Sequence, residues 1–470
     1  MGLSLATATV WNMSEPDASG PFDVIVIGMG PGGEDVAGRL AEAGLSVLGV
    51  ESALVGGECP YWGCVPSKMM IRGANALAEA RRVGELSGAV GDVVPDWTPV
   101  AQRIRDEATD NWDDQVAVDR FVGKGGVFVR GHGRLVGPRE VDVAGVRYSA
   151  TRGVVVATGG APAVPPIQGL ADVPFWTNHE FVQARELPAS LVVLGGGAIG
   201  CELTQVAARF GVQVTLVEAL PRLLALEEPA AGELVAGALR ADGVDVRTGV
   251  LAASVSGRAG EITVRLQDGG SVTAEALLVA TGRRVDVSAV GLDAVGVDAS
   301  ARAVPVDEWC RVADGVWAVG DITGKGAFTH VAMYQADVVV RDVLGQGGPP
   351  ATYHAVPRVT FTDPEVGSVG LSSASAREQL AKVRVGTAAV PSSARGWIHK
   401  VGNEGFITLV EDAEQGVLVG ATSAGPVGGE VLGLLALAVH ARVPVTTLAS
   451  MIYAYPTFHR GVQDALRDLH

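Results

Sequence analysis

Residues 24–27 are apolar at every position, and Gly28-Met29-Gly30-Pro31-Gly32-Gly33 and a stretch of helical spacing up to Ala43 follow them. The unbroken run predicts a strand covered on both faces, and the spacing after it predicts a helix that Gly44 stops. A second apolar run over 45–50 ends in Glu51. The order is therefore strand, glycine turn, helix, strand, acid. Glycines at 28, 30 and 33 allow a tight turn, close approach of backbone to a pyrophosphate and close packing of helix on strand. The helix N-terminus then faces the phosphates, and Glu51 can accept hydrogen bonds from a ribose hydroxyl.

The same pattern returns at 191–194, followed by Gly195-Gly196-Gly197-Ala198-Ile199-Gly200, a helix through Phe210, a strand over 213–217 and Glu218. Two such units imply two dinucleotides. An acid at Glu218 favours the free 2′-hydroxyl of NADH over NADPH, although Arg222 stands close by. Two apolar runs end in Ala-Thr-Gly, at Ala157-Thr158-Gly159 and Ala280-Thr281-Gly282, an internal repeat that places the second unit as an insertion in the first. A strand over 316–319, followed by Gly320-Asp321, returns the chain to the first sheet. Asp321 then either faces a ligand at the carboxyl end of that strand or caps the next segment. Beyond the turn-rich 345–350, apolar strands alternate with helical stretches and read as a third domain. The expected fold is α/β, with two Rossmann-like dinucleotide-binding domains, the second inserted in the first, and a C-terminal α+β domain. The expected boundaries are 1–152, 153–283, 284–346 and 347–470.

Composition narrows the function classes. The 470 residues are 48% hydrophobic and 19% charged, which suits a multi-domain globular chain. A formal charge of −16 argues against non-specific nucleic-acid binding. No apolar run approaches the roughly 18–20 residues of a membrane-spanning helix. Residues 1–20 lack the pattern of a signal peptide and read as a flexible tail of a cytoplasmic protein, with Met13 as an alternative start.

The four cysteines are at 59, 64, 201 and 310. Cys201 and Cys310 read as buried packing residues. Cys59 and Cys64 lie in Gly57-Glu58-Cys59-Pro60-Tyr61-Trp62-Gly63-Cys64-Val65-Pro66-Ser67-Lys68. On a regular helix, residues five apart have Cα atoms roughly 8.6 Å apart, beyond disulfide range, so a bond needs a distorted helix start. Pro60, Gly63 and Pro66 can supply the distortion, and a helix N-terminus favours thiolate. Spacing alone leaves open a redox pair, two packed thiols or half a metal site.

The glycine fingerprints, Cys-x4-Cys-x-Pro-Ser-Lys and the Gly-Asp strand, in this order, resemble the flavoprotein disulfide reductases, the group of dihydrolipoamide dehydrogenase, glutathione reductase and mercuric reductase. The resemblance covers nearly the whole chain. It implies FAD on the first unit, NAD(P)H on the second, and a C-terminal domain that forms a homodimer with a shared active site. It makes Cys64 the thiol beside the flavin and Cys59 the one that exchanges with the substrate. Lys68 would sit near flavin N5 with Glu202 as its ion partner, and Asp321 would hold the ribityl chain. Gly57, Gly133, Ala157, Thr158, Gly159, Gly320, Ala327 and His330 would line the FAD site, and Gly282 would belong to the nicotinamide side.

Three features depart from this pattern. Ala198 stands where some relatives carry an aromatic gate. The linker Pro60-Tyr61-Trp62-Gly63 replaces the Leu-Asn-Val-Gly type common in the family, and its rings either pack on the flavin domain, stack on a flat acceptor or exclude a large disulfide. The family's His-Pro-Thr-x-x-Glu is here Tyr455-Pro456-Thr457-Phe458-His459-Arg460. Tyrosine is a poor base at neutral pH, so Tyr455 either donates a proton, aided by Arg460, or packs at a dimer seam, and His459 points in another direction. No cysteine pair stands in 466–470, unlike in mercuric reductase. The expected activity is electron transfer from NAD(P)H through flavin and the Cys59–Cys64 disulfide to a small, non-standard acceptor. The alternatives are a quinone or metal-ion reductase, a thiol-dependent carbon–sulfur cleaving enzyme, and a flavin-based redox sensor.

Overall fold

The computed structural model describes residues 9–11 and 21–470. They form two compact units, one from Met1–Pro66, Ile104–Pro162 and Arg283–Thr352, the other from Ser67–Arg103, Ala163–Gly282 and Tyr353–His470.

In the first unit five strands run parallel in the order Val127–Arg130, Val47–Glu51, Phe22–Ile27, Val146–Val156, Val316–Ala318. Val24 and Val26 pack with Val36 and Leu40 of the helix Pro31–Glu42 and with Val339 of the helix Thr329–Val343. Ile25 and Ile27 point to the other face, against Leu135, Val141 and Tyr148. Both faces are covered, which is why the run at 24–27 does not alternate with polar residues.

In the second unit the parallel order is Asp245–Thr248, Gln213–Glu218, Ser190–Leu194, Ala276–Val279. From Tyr353 the chain builds a five-stranded antiparallel sheet whose core joins Val369 and Leu409 to Leu432 and Leu435 of the helix Gly428–His440. Among the described residues no helix is long and apolar enough to cross a membrane.

Three expectations are corrected. The boundary at 152/153 cuts the strand Val146–Val156: its first half pairs back on Glu140–Val143, while Val154 and Val156 pair with Ile25 and Ile27, so the segment runs on to Pro162. Residues 67–103, expected in the first domain, belong to the second unit. The tail is not featureless, because Thr9–Trp11 pairs antiparallel with Val127–Arg130. Met13 and the rest of the tail lie outside the described residues.

Candidate active site

The first glycine turn is shaped by close approach. Gly28 has φ +91°, and a Cβ there would lie 2.5 Å from the Ala157 carbonyl oxygen and 2.9 Å from the Thr158 Cα. The first Ala-Thr-Gly thus closes directly on the turn. A Cβ at Gly33 would overlap the Gly28 carbonyl, whereas the space around Gly30, the residue before the helix Pro31–Glu42, is open. Glu51 accepts from the Met29 N–H at 2.7 Å and the Ala53 N–H at 2.8 Å, which locks its carboxylate at the end of its strand. Gly159 also faces open space, and Gly133 lies against Ile27 and Val50. An exposed helix N-terminus, a turn with no side chain in the way and a fixed acid fit a dinucleotide.

The second turn repeats this atom for atom. A Cβ at Gly195 would overlap the Ala280 carbonyl, one at Gly200 the Gly195 carbonyl, and the space at Gly197 and Gly282 is open. Glu218 accepts from the Gly196 N–H at 2.5 Å and the Leu220 N–H at 2.7 Å. Arg222, close by in sequence, donates to the carbonyls of Ala225 at 2.7 Å and Glu227 at 3.1 Å, within its own loop.

The cysteines bracket a break in the helix. Glu58–Tyr61 makes one turn, Trp62 departs with φ −132° and ψ −10°, and a new helix runs over Cys64–Leu86. The distortion that spacing demanded is thus present, at Trp62-Gly63. The turn begins at Gly57, where φ is +64° and a Cβ would lie 2.9 Å from the Gly30 Cα, so the cysteine segment abuts the first glycine turn. Cys64 is exposed and Cys59 half-buried. The Cys64 Sγ lies 3.5 Å from the Thr329 Oγ1, at the first turn of Thr329–Val343, where amide dipoles favour a thiolate. The sequence marked the segment Ala327–His330 as flavin lining and did not single out Thr329. The neighbouring His330 stacks on Phe328. Burial of Cys201 pushes its thiol far up, which leaves it inert, and Cys310 is buried as well.

Residues 22–336 match the family described as pyridine nucleotide-disulphide oxidoreductase, and 356–466 match its dimerisation domain. The chain belongs to this family, in its class I. The enzyme is 33% identical to the dihydrolipoyl dehydrogenase of Chlorobaculum tepidum over 95% of this chain and 97% of that one. It is also 33% identical to the mercuric reductase of Acidithiobacillus ferrooxidans, over 94% and 81%. Among solved structures it resembles the HOCl-induced flavoprotein disulfide reductase RclA from Escherichia coli, with a TM-score of 0.81, 26% identity and coverage of 95% and 99%. The family works with FAD and NAD(P)H, and this enzyme is an oxidoreductase of that kind.

The enzyme's remaining polar candidates fall into two groups. In the first unit Asp321, just past the strand Val316–Ala318, is held by Arg283, whose Nε lies 3.1 Å from its Oδ2. The same guanidinium reaches Glu58, the neighbour of Cys59, at 3.1 Å and the Gly160 carbonyl. Burial raises the Asp321 carboxyl, and Arg283 opposes the shift. Gly320 donates its N–H to Gln335 at 2.7 Å. In the second unit the Lys68 Nζ lies 3.0 Å from the buried Glu202, whose other oxygen accepts the Phe361 N–H at 2.8 Å. Lys68 also stands 4.5 Å over the Phe361 ring, a partner that no sequence motif announces.

Tyr455 is 72% exposed. Arg460, expected to assist it, opens the helix Arg460–Arg467 and pairs with Asp464 at 3.1 Å, and His459 is the residue before that helix. Among the described residues no group of three or more His, Cys, Asp or Glu side chains is placed to hold a metal ion.

A further aromatic element lies beside the cysteines. Tyr61 is buried, and burial, seconded by the Asp114 charge, pushes its phenol up. Trp62 stacks on Trp112, with centroids 5.5 Å apart and planes at 23°. Trp112 ends three consecutive non-glycine residues in the left-handed region, Asp110, Asn111 and Trp112, at φ +47°, +54° and +60°. Each costs roughly 1–2 kcal/mol of backbone energy. A π-turn over Ile104–Ala108 precedes them, with the Thr109 N–H bonded to the Ile104 carbonyl at 3.0 Å. Nothing in the spacing of 104–112 announces either feature.

Proposed function

We propose that the enzyme takes a hydride from NADH and passes two electrons through the Cys59–Cys64 pair to a small thiol-reactive acceptor. The observation that carries this is the pair's setting: two cysteines across a helix break, with Cys64 against a helix N-terminus and the segment's first residue on the dinucleotide turn. Bound FAD would supply the two-electron relay between nicotinamide and sulfur. In balance, NADH and one proton convert the disulfide to two thiols and NAD⁺, and the thiols give two electrons to the acceptor as the disulfide re-forms, with the two protons going to an organic acceptor or, for a metal ion, to water. Gly28, Gly30, Gly33, Glu51, Gly57, Gly133, Ala157, Thr158, Gly159, Gly320, Asp321, Ala327 and His330 would hold FAD. Gly195, Gly197, Gly200, Glu218 and Gly282 would hold NADH. Lys68, oriented by Glu202, would stabilise negative charge on the reduced ring. The preference for NADH rests on the fixed Glu218 carboxylate and on Arg222 being engaged with its own loop.

A homodimer through the C-terminal domain is part of this reading, with Tyr455 at the seam. Because Tyr455 takes the place of a histidine base and Arg460 is paired with Asp464, the favoured acceptor is one that needs no proton withdrawn from the attacking thiol. Thiophilic metal ions meet that condition because they displace the thiol proton to water without a protein base, and quinones meet it by taking electrons directly from flavin without the dithiol. Anaerobic titration with NADH tests the reading. A long-wavelength thiolate–flavin charge-transfer band is expected after two electrons, and Cys59→Ser should abolish turnover with the thiol-reactive acceptor while sparing quinone reduction directly from flavin. Flavin bleaching without the band would remove the cysteines from the path.

A further inference from the structure

We propose that the Trp62–Trp112 stack is a size filter on the acceptor side of Cys59, with Trp112 as its specificity-determining residue. The proposal rests on Cys59 being the thiol that meets the acceptor and narrows the acceptor to a small thiophile. The Trp62 N–H donates to the Glu58 carbonyl at 2.8 Å, which ties Trp62 to the end of the turn that carries Cys59. Its own φ of −132° then turns its indole off the helix, over the linker between the two cysteines. A lone tryptophan there could swing aside. This one is backed by a second indole.

Trp112 is itself fixed from several directions. Its Nε1–H donates to the Tyr61 carbonyl at 3.3 Å, so it grips the linker between the cysteines as well as the ring on it. Two residues on, the Asp114 carboxylate accepts from the Val55 N–H and from Arg130, each at 2.6 Å, which ties the end of the turn to the loop that leads into the cysteine segment. Asp110 and Asn111 are residue types that tolerate the left-handed region, but tryptophan is not. A disfavoured backbone at a bulky residue persists only where its surroundings over-determine it, and such outliers cluster at functional sites, as do π-turns. Here the strained turn delivers one indole to the ring that closes the turn carrying Cys59. An acceptor approaching Cys59 past the linker meets two interlocked rings instead of a flexible side chain. A metal ion or a compact molecule passes, and a bulky disulfide does not.

The test uses the flavin-loaded enzyme, reduced with dithiothreitol and freed of it anaerobically. Rates of alkylation of Cys59 by N-methylmaleimide (small) and by fluorescein-5-maleimide (bulky) are resolved by mass spectrometry in wild type, Trp112→Ala and Trp112→Phe. The bulky-to-small rate ratio is expected to rise about tenfold in Trp112→Ala and less in Trp112→Phe, since thiol reaction rates depend on access as well as on thiolate fraction. A shifted thiol pKa would change both rates together and leave the ratio alone, and a general loosening of the site would show as a lowered thermal midpoint. A ratio within about twofold of wild type overturns the filter, and a fall shows instead that the rings are a landing platform for flat acceptors. If Trp112→Ala does not retain flavin, Trp62→Leu carries the same comparison. Absence of the charge-transfer band in wild type would defeat the disulfide reading, and the rate ratio would still report on the filter.

Discussion

Asp321 shows how one side chain records its task in its energetics. Burial raises its carboxyl despite the Arg283 guanidinium beside it. A carboxyl that binds its proton more tightly in the folded state makes stability fall as pH rises, from its unfolded value near 3.9 up to the raised folded value, and level off above. Asp321→Asn removes that contribution. The urea midpoint of the flavin-free variant should therefore decline less than that of wild type between about pH 4 and pH 7. Equal declines would mean that Asp321 is not the group responsible. The residue's place after a strand was legible, because Gly-Asp follows an apolar run. Its partner was not, because Arg283 comes from a part of the chain whose path back to Glu58 and Asp321 only folding defines.

At the scale of elements, the two glycine turns are near copies, so the same substitution should have separable effects. Gly28→Ala places a methyl against the Ala157 carbonyl at φ +91° and should yield protein without flavin. Gly195→Ala makes the same clash against Ala280 in the second turn. It should stay yellow, while its KM for NADH rises about tenfold or more. Flavin content by absorbance and steady-state kinetics check both, and a flavin-loaded Gly28→Ala would contradict the assignment. These elements were readable because a strand covered on both faces must be apolar throughout and a turn under another strand must be glycine. The π-turn and left-handed turn at 104–112 were not readable. They contain no glycine or proline, and contacts with the linker 61–62 maintain them against local preference.

For the whole molecule, the C-terminal segment belongs to a dimerisation domain, and its helix Ala394–His399 and the loop before its last helix carry large exposed apolar side chains, Ile452 at 96%, Trp397 at 76% and Tyr455 at 72%. Ile452→Asp should shift the mass measured by light scattering from two chains towards one and lower dithiol-dependent turnover with it. A variant that remains dimeric would move the interface to another face. The one-domain reading of 1–152 failed at this scale for a physical reason. The strand Val146–Val156 serves a hairpin with its first half and the parallel sheet with its second, so a boundary drawn at a change of local pattern cuts a continuous element.

By itself the sequence determined two dinucleotide turns, the acid that closes each, the nesting of one unit in the other, and that a bond between Cys59 and Cys64 requires a broken helix. All of these follow from local spacing, since backbone approach, burial on both faces and helix geometry constrain residues close together in the chain. Tertiary structure alone decided where that helix breaks, which hydroxyl meets Cys64, what Arg283 touches, that Lys68 stands over the Phe361 ring, and that Trp112 stands behind Trp62. Those outcomes depend on residues tens to hundreds of positions apart, and no local pattern encodes which of them will meet.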